Sequence, residues 1–403
     1  MLHIHFGTGR LGLGLVAPFF QTPHSELFLL NRETSGGNPT GSTALSTNRR
    51  NELLRDTPDR TYFIQSPNAT PGQRQVVHYD GFIAYAADNL EQNIVSILEK
   101  STQKQAGVVV TGSVLSVANY RSVIQALNVV CDAKERQPDA VGPVFLVACE
   151  NTVNAAEVFE DESLADVVRP ETRCHVTCVH ALVDRLCVGL EEDTSGPHPT
   201  VRACAEEYGS LKLQLDESTA PLVPLLRGSR VEFSRHVETE KQIKGWLLNG
   251  THWLIALRAF QAANGDHGLR LNRYLSQSPE NRNFAEAVLD EMAEGVAILL
   301  RSDPQYSDFV RDVDVDDYLA GAKKMILHRF SATDDPITRI LARFRAPSPN
   351  EFATIEAFNK RFAGRVDEPM MAYQSQKGVI PPAASQSLFS LHRLVASGTY
   401  VQA

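Results

Sequence analysis

No stretch of the sequence stays apolar for the ~20 residues that a membrane-spanning helix needs, so no membrane span is expected. Basic charge is in deficit too. The formal net charge is −9 at pH 7, whereas sequence-independent phosphate-backbone binding needs a basic surface, so no nucleic-acid partner is expected. Cysteine is sparse, with six residues at 131, 149, 174, 178, 187 and 204. Scattered in this way they read as reduced thiols and not as a disulfide framework. Residues 1–7 lack the basic stretch and apolar core of a secretory leader, which points to a cytoplasmic protein. There is no internal repeat and no long low-complexity tract. What remains is a globular composition, 43% hydrophobic and 22% charged. At 403 residues the chain exceeds the length over which one core usually grows, and two domains are expected.

The first half alternates apolar strand-like runs with helical stretches. Strand candidates are Leu2-His3-Ile4-His5-Phe6, Glu26 to Leu30, Thr61 to Gln65, Gly107 to Thr111 and Val144 to Ala148; Leu90 to Lys100 and Val114 to Ala133 read as helices. That order predicts a doubly wound α/β domain with a parallel sheet. Thr34 to Ser46 and Pro67 to Gly72 read as loops. After about residue 190 long amphipathic segments take over: Lys241 to Ala263, Phe284 to Arg301, Val315 to Phe330, Ile337 to Phe344 and Leu388 to Ala396. The expected division is an α/β domain over 1–190 and a mainly α-helical domain over 191–403. Cys174 to Cys187, read as a strand followed by a helix, is compatible with either half.

Directly after the first strand stands Gly7-Thr8-Gly9-Arg10-Leu11-Gly12, a complete G-x-G-x-x-G that opens a helix. Its glycines permit a tight turn, close approach of backbone to a pyrophosphate, and close helix packing, while the helix N-terminus offers N–H groups to the anion. A purely structural tight turn is the alternative. Thr111 and Gly112, closing a later strand, are counted with the cofactor contacts. At the end of the second strand an acidic residue would hold the adenosine ribose, and Asn31-Arg32 stands there instead. An amide and a guanidinium suit a 2′-phosphate, so NADP is expected beside NAD, unless Arg32 is only a solvated surface residue.

In the helical half lies Lys244-Gly245-Trp246-Leu247-Leu248-Asn249-Gly250-Thr251-His252. At about 100° per residue, Asn249 falls about 140° and His252 about 80° round from Lys244, so an α-helix lets the three face a common pocket. A lysine whose pKa is lowered by burial can take the proton of a secondary alcohol as hydride leaves its carbon. Asn249 offers fixed donors to the developing alkoxide, His252 orients the same oxygen, and Asn151, just after the strand Val144 to Ala148, offers a second amide. Taken singly, each has a plain reading: a solvated lysine, a helix irregularity beside Gly250, a packed core histidine.

Lys244, Asn249 and His252 resemble the K-x-x-x-x-N-x-x-H pattern of the polyol-specific long-chain dehydrogenases, the mannitol dehydrogenase family. His5-Phe6-Gly7-Thr8-Gly9-Arg10-Leu11-Gly12-Leu13-Gly14, Cys149-Glu150-Asn151 and Val183-Asp184-Arg185 are similar to motifs of its mannitol-1-phosphate branch. The resemblance implies a Rossmann-type domain joined to a helical one, a monomer, metal-independent hydride transfer, Lys244 as base, and Asn249 with Asn151 at the oxyanion, assisted by His252. The substrate implied is a linear polyol or sugar phosphate. Departures are Asn31 for the acidic residue and Glu240-Lys241 for the Tyr-Glu that precedes the lysine. Cys174, His175, Cys178 and His180 have poor spacing for four convergent zinc ligands, and no metal is expected. The alternatives are a reductase of another open-chain sugar derivative, such as an aldonate, hexuronate or sugar conjugate, and a non-catalytic NAD(P)-binding sensor.

Overall fold

The computed structural model describes residues 1–33, 45–66, 73–150, 153–342 and 352–396. Asn151 and most of the two expected loops lie outside the described residues. The chain forms two compact units, Met1–Val237 and Glu238–Ala403.

The first unit is built on six parallel strands: β1 (Leu2–Phe6), β2 (Glu26–Arg32), β5 (Gly81–Tyr85), β6 (Val108–Gly112), β7 (Val144–Ala148) and β8 (Val176–Val179), in the order β5-β2-β1-β6-β7-β8. This is the strand order of a Rossmann sheet, which reverses between β1 and β6. Helices on both faces make the central strands continuous in burial: all five residues of β1, β6 and β7 are buried. The helix Leu90–Lys100 buries Leu90, Ile94, Ile97 and Leu98, a single stripe at helical spacing.

Seven further strands complete this unit. β3 (Thr61–Gln65) and β4 (Gln75–His78) join β10 (Cys187–Asp193) and β11 (Thr200–Ala205) in the order β10-β11-β3-β4. β9 (Ala181–Asp184), β12 (Ser210–Gln214) and β13 (Glu232–Ser234) form a third sheet. The division between units therefore falls well beyond residue 190. The cause is long-range pairing: Arg202 to Cys204 of β11 pair with Phe63 to Gln65 of β3, binding residues 187–205 to the first unit, and β12 pairs with β9. Cys174 and His175 end a short helix (Pro170–His175) that precedes β8 and β9, so strands follow a helix there. The segment from Val114 also differs from expectation. Leu115 has φ +76°, a conformation no helix interior accepts, and the helix runs over Arg121–Arg136.

The second unit is helical. Its long helices are Thr251–Ala262, Pro279–Ser302, Val315–Ala332, Phe352–Phe362, Glu368–Lys377 and Pro382–Ala396. Trp246, Trp253, Phe260, Met292, Val296 and Phe330 are buried in its core. Ile337–Leu341 is helical, and Phe344 lies outside the described residues. The expected helix over Lys241 to Ala263 is interrupted: Val237–Ile243 is α-helical, Lys244–Gly250 is π-helical, and the α-helix resumes at Thr251.

Candidate active site

At the end of β1 the three motif glycines have three different physical reasons. Gly7 has φ +99°, and a Cβ there would lie 2.4 Å from the Ser113 carbonyl oxygen. A Cβ on Gly12 would lie 2.0 Å from the Gly7 carbonyl oxygen and 2.5 Å from His5 Nε2. Both positions exclude any side chain. Gly9, by contrast, has nothing within 4 Å of where its Cβ would be, so its backbone is open to a ligand. Residues 10–20 are helical, with a π-helical turn over Gly12–Val16, and the Leu13 amide bonds the Gly9 carbonyl at 3.0 Å.

A buried polar network holds this turn from beneath. His5 Nε2 stands 3.0 Å from the Gly7 carbonyl oxygen, which only accepts, so Nε2 carries the proton and Nδ1 accepts. Nδ1 lies 2.7 Å from Thr111 Oγ1, which must then donate to it and accept from His3 Nε2 at 2.8 Å. The assignment leaves His3 Nδ1 as a bare acceptor, and that atom is buried with no hydrogen-bond partner. Ser113 Oγ donates to the same Gly7 carbonyl at 2.9 Å. Burial holds both rings neutral: the His5 pKa is lowered to about 4, and that of His3 lies well below the usual histidine value. Thr111 thus points into the network beneath the sheet. Gly112 packs against Tyr120, whose hydroxyl donates to its carbonyl at 3.1 Å.

The ribose-side residues are arranged differently from expectation. Asn31 Oδ1 accepts from the Thr8 amide at 3.4 Å and its Nδ2 donates to Asn51 Oδ1 at 2.7 Å, tying the turn to the helix Thr47–Asp56. Arg32 is exposed. The cation beside the turn is Arg50, which the sequence reading missed: its Nε donates to Thr8 Oγ1 at 3.0 Å, and burial lowers its pKa to about 10. Arg10 is exposed and donates to the Val188 carbonyl at 3.1 Å, and Leu11 is half-buried.

In the second unit, Lys244–Gly250 forms a π-helical turn. An i→i+5 turn is wider than an α-turn, so residues five apart approach the same side, and the separation computed for an α-helix does not apply. Lys244 and Asn249 are such a pair, and His252 follows one α-helical turn later. Lys244 and Asn249 are half-buried and His252 is buried. His252 stacks on Phe330 with ring centroids 4.5 Å apart, and its Nε2 lies 3.6 Å from Asp335 Oδ2. Asp335, buried and unforeseen, also accepts from Arg339 Nε at 2.6 Å. It comes from the loop before Ile337–Leu341, where no helical spacing ties it to His252.

The turn is locked by close backbone contact. A Cβ on Gly250 would lie 2.2 Å from the Arg365 carbonyl oxygen, in a second π-helical turn (Ala363–Asp367), and Trp246 Nε1 donates to Glu368 Oε2 at 3.0 Å. Of the four cysteine and histidine residues weighed as zinc ligands, His175 lies 3.3 Å from Glu135, and His180 Nδ1 lies 3.0 Å from Asn154 Nδ2. Among the described residues no group of three or more potential ligands could hold a metal ion.

No family model matches the chain, and no curated protein matches it in sequence. Solved structures do. The chain is similar to Pseudomonas fluorescens mannitol 2-dehydrogenase, solved as a ternary complex with NAD and D-mannitol, at 15% identity and TM-score 0.54, over 92% of this chain and 77% of that one. It is similar to a D-sorbitol dehydrogenase in substrate-free form at 13% identity and TM-score 0.57, over 99% of this chain and 94% of that one. The chain therefore has a polyol-dehydrogenase-like fold. No helix among the described residues is long and apolar enough to cross a membrane.

Proposed function

We propose that the chain is an NAD(P)-dependent oxidoreductase that interconverts a secondary alcohol of a linear polyol or sugar phosphate with the matching ketose. The observation that carries this reading is the π-helical turn Lys244–Gly250, whose i→i+5 geometry favours a shared face for Lys244 and Asn249. The two structural relatives that share the fold, named as mannitol and sorbitol dehydrogenases, support the substrate class.

The glycine turn fits a dinucleotide: Gly9 leaves its backbone open, and the helix start from residue 10 presents N–H groups to a pyrophosphate. Asn31 and Arg50 lie toward the adenosine side, and Arg50 strengthens the case for a 2′-phosphate that Arg32 first raised. A bound nicotinamide supplies the hydride acceptor. Lys244 Nζ takes the hydroxyl proton of the substrate, while the Asn249 and Asn151 amides donate hydrogen bonds to the oxygen as its negative charge grows. His252 orients that oxygen, with its ring stacked on Phe330 and its Nε2 beside the Asp335 carboxylate. In the reverse direction Lys244 returns the proton to the carbonyl oxygen. The chain works as a monomer and needs no metal for these steps.

The test is a panel in which the protein, with NADH or NADPH, meets ketoses, ketose phosphates and open-chain keto-acids, read at the nicotinamide absorbance. Oxidation of the cofactor by a ketose or ketose phosphate is the expected result. Turnover of keto-acids alone would move the substrate to the aldonate class, and cofactor binding without any turnover would make the chain a sensor.

A further inference from the structure

A second charged recess lies in the first unit, apart from the glycine turn. It is a cavity of about 410 Å³ lined by Ser66, Gln73 and Gln75 at the β3–β4 connection, Glu207 between β11 and β12, and Arg185 and Arg230. Its size is within the range of small-molecule pockets, ~300–1,000 Å³, and none of its residues takes part in the function proposed above.

The two arginines make it unusual. Arg230 stacks on Phe19 with its guanidinium carbon 4.1 Å from the ring centroid, and Arg185 stands 6.0 Å from the same centroid. Neither meets a carboxylate within ion-pair distance among the described residues. Arg185 donates to two carbonyls, Glu206 at 2.9 Å and Gly14 at 2.6 Å, and Arg230 reaches Gln75 Oε1 at 3.4 Å. Burial lowers the pKa of both; on Arg185 the charge of Arg230 acts in the same direction, while Cys187 and Glu206 oppose it. The recess thus holds two like charges against one ring, Arg185 half-buried and Arg230 open to solvent. Glu207 is the single acid in the lining. An oxyanion between the guanidiniums would neutralise them, and the arginine fork matches a phosphoryl group in charge and geometry.

We infer that this cavity binds the phosphate monoester of a small hydroxylated molecule, with Arg185 and Arg230 on the phosphoryl group and Ser66, Gln73, Gln75 and Glu207 facing the hydroxyls. The volume exceeds what a phosphate ion alone fills, and the amides, hydroxyl and carboxylate provide the donors and acceptors that hydroxyl groups need.

The test is calorimetric titration of the full chain with glucose 6-phosphate, inorganic phosphate and glucose, with and without saturating NADH, so that it does not depend on turnover. Saturable binding of glucose 6-phosphate, weaker binding of phosphate and none of glucose are expected, unchanged by NADH. Arg230→Gln should weaken glucose 6-phosphate binding by about tenfold or more, the range for losing a charge-assisted hydrogen bond. Gln75→Glu keeps the side-chain size and gives Arg230 an acid partner, so it should weaken binding as much in a folded protein. NADH affinity should stay the same in both variants. Absence of binding to the parent chain, or equal binding by the parent and Gln75→Glu, would overturn the inference, whichever way the panel of ketoses turns out.

Discussion

Two arginines are proposed for the adenosine side of the cofactor, and they differ in their surroundings. Arg32 is exposed, whereas Arg50 is half-buried and anchored to the Thr8 hydroxyl. A charge withdrawn from water interacts more strongly with a phosphate than one screened by it. Arg50→Gln should therefore raise the KM for NADPH by about tenfold or more and leave that for NADH within about twofold, while Arg32→Gln changes either less; steady-state titration of both cofactors checks this, and equal losses for NADH and NADPH would remove Arg50 from 2′-phosphate binding. Arg32 was legible in the sequence because the Rossmann pattern counts residues along β2. Arg50 was not, since it arrives from a helix beyond the undescribed segment 34–44, and only the fold brings it to Thr8. Asp335 was hidden for the same reason. Spacing predicts neighbours within one helix, but His252 meets its carboxylate across a loop. Asp335→Asn should lower kcat by about tenfold with KM little changed, as the His252 ring loses the carboxylate that positions it, which corresponds to about 1.4 kcal/mol. An unaltered kcat would show that His252 works without that partner.

Among elements, the β1–turn–helix unit was readable because its glycines have independent steric causes, which leave a fixed pattern in sequence. The π-helical turn was not. Trp246, Leu247 and Leu248 are consecutive buried residues, and a run buried all round looks alike whether its hydrogen bonds span four residues or five. Strand β11 was missed because one of its pairing partners, β3, lies more than a hundred residues away, where no local pattern reveals it. Two glycines of the π-turn make opposite predictions. Gly250→Ala drives a Cβ into a backbone oxygen that no rotamer change can move, and should cost about 1–3 kcal/mol. Gly245→Ala has nothing within 4 Å and should be neutral or stabilising by up to ~1 kcal/mol. Thermal unfolding of the two variants separates these outcomes.

At the scale of the whole molecule, the first unit should be acid-sensitive through its buried histidines. The folded pKa of His5, about 4, lies below the ordinary value of 6.5. Between those values the unfolded chain binds more protons than the folded one, so stability is full above pH 6.5 and is lost as pH falls toward 4, by about 1.4 kcal/mol per pH unit for this ring. His3 adds in the same direction. Urea unfolding at pH 7 and pH 5 should show the loss, and His5→Gln should make it smaller; an identical pH dependence in the variant would place the sensitivity elsewhere. Length and the change of texture after about residue 190 predict two domains, and the chain forms two compact units, Met1–Val237 and Glu238–Ala403. The most direct test is Lys244→Ala, with kcat/KM for the ketose or ketose phosphate measured beside the NADH dissociation constant. A fall of about 10²–10⁴-fold in kcat/KM with unchanged NADH affinity is predicted. Full turnover by the variant would contradict the assignment of Lys244 as the base.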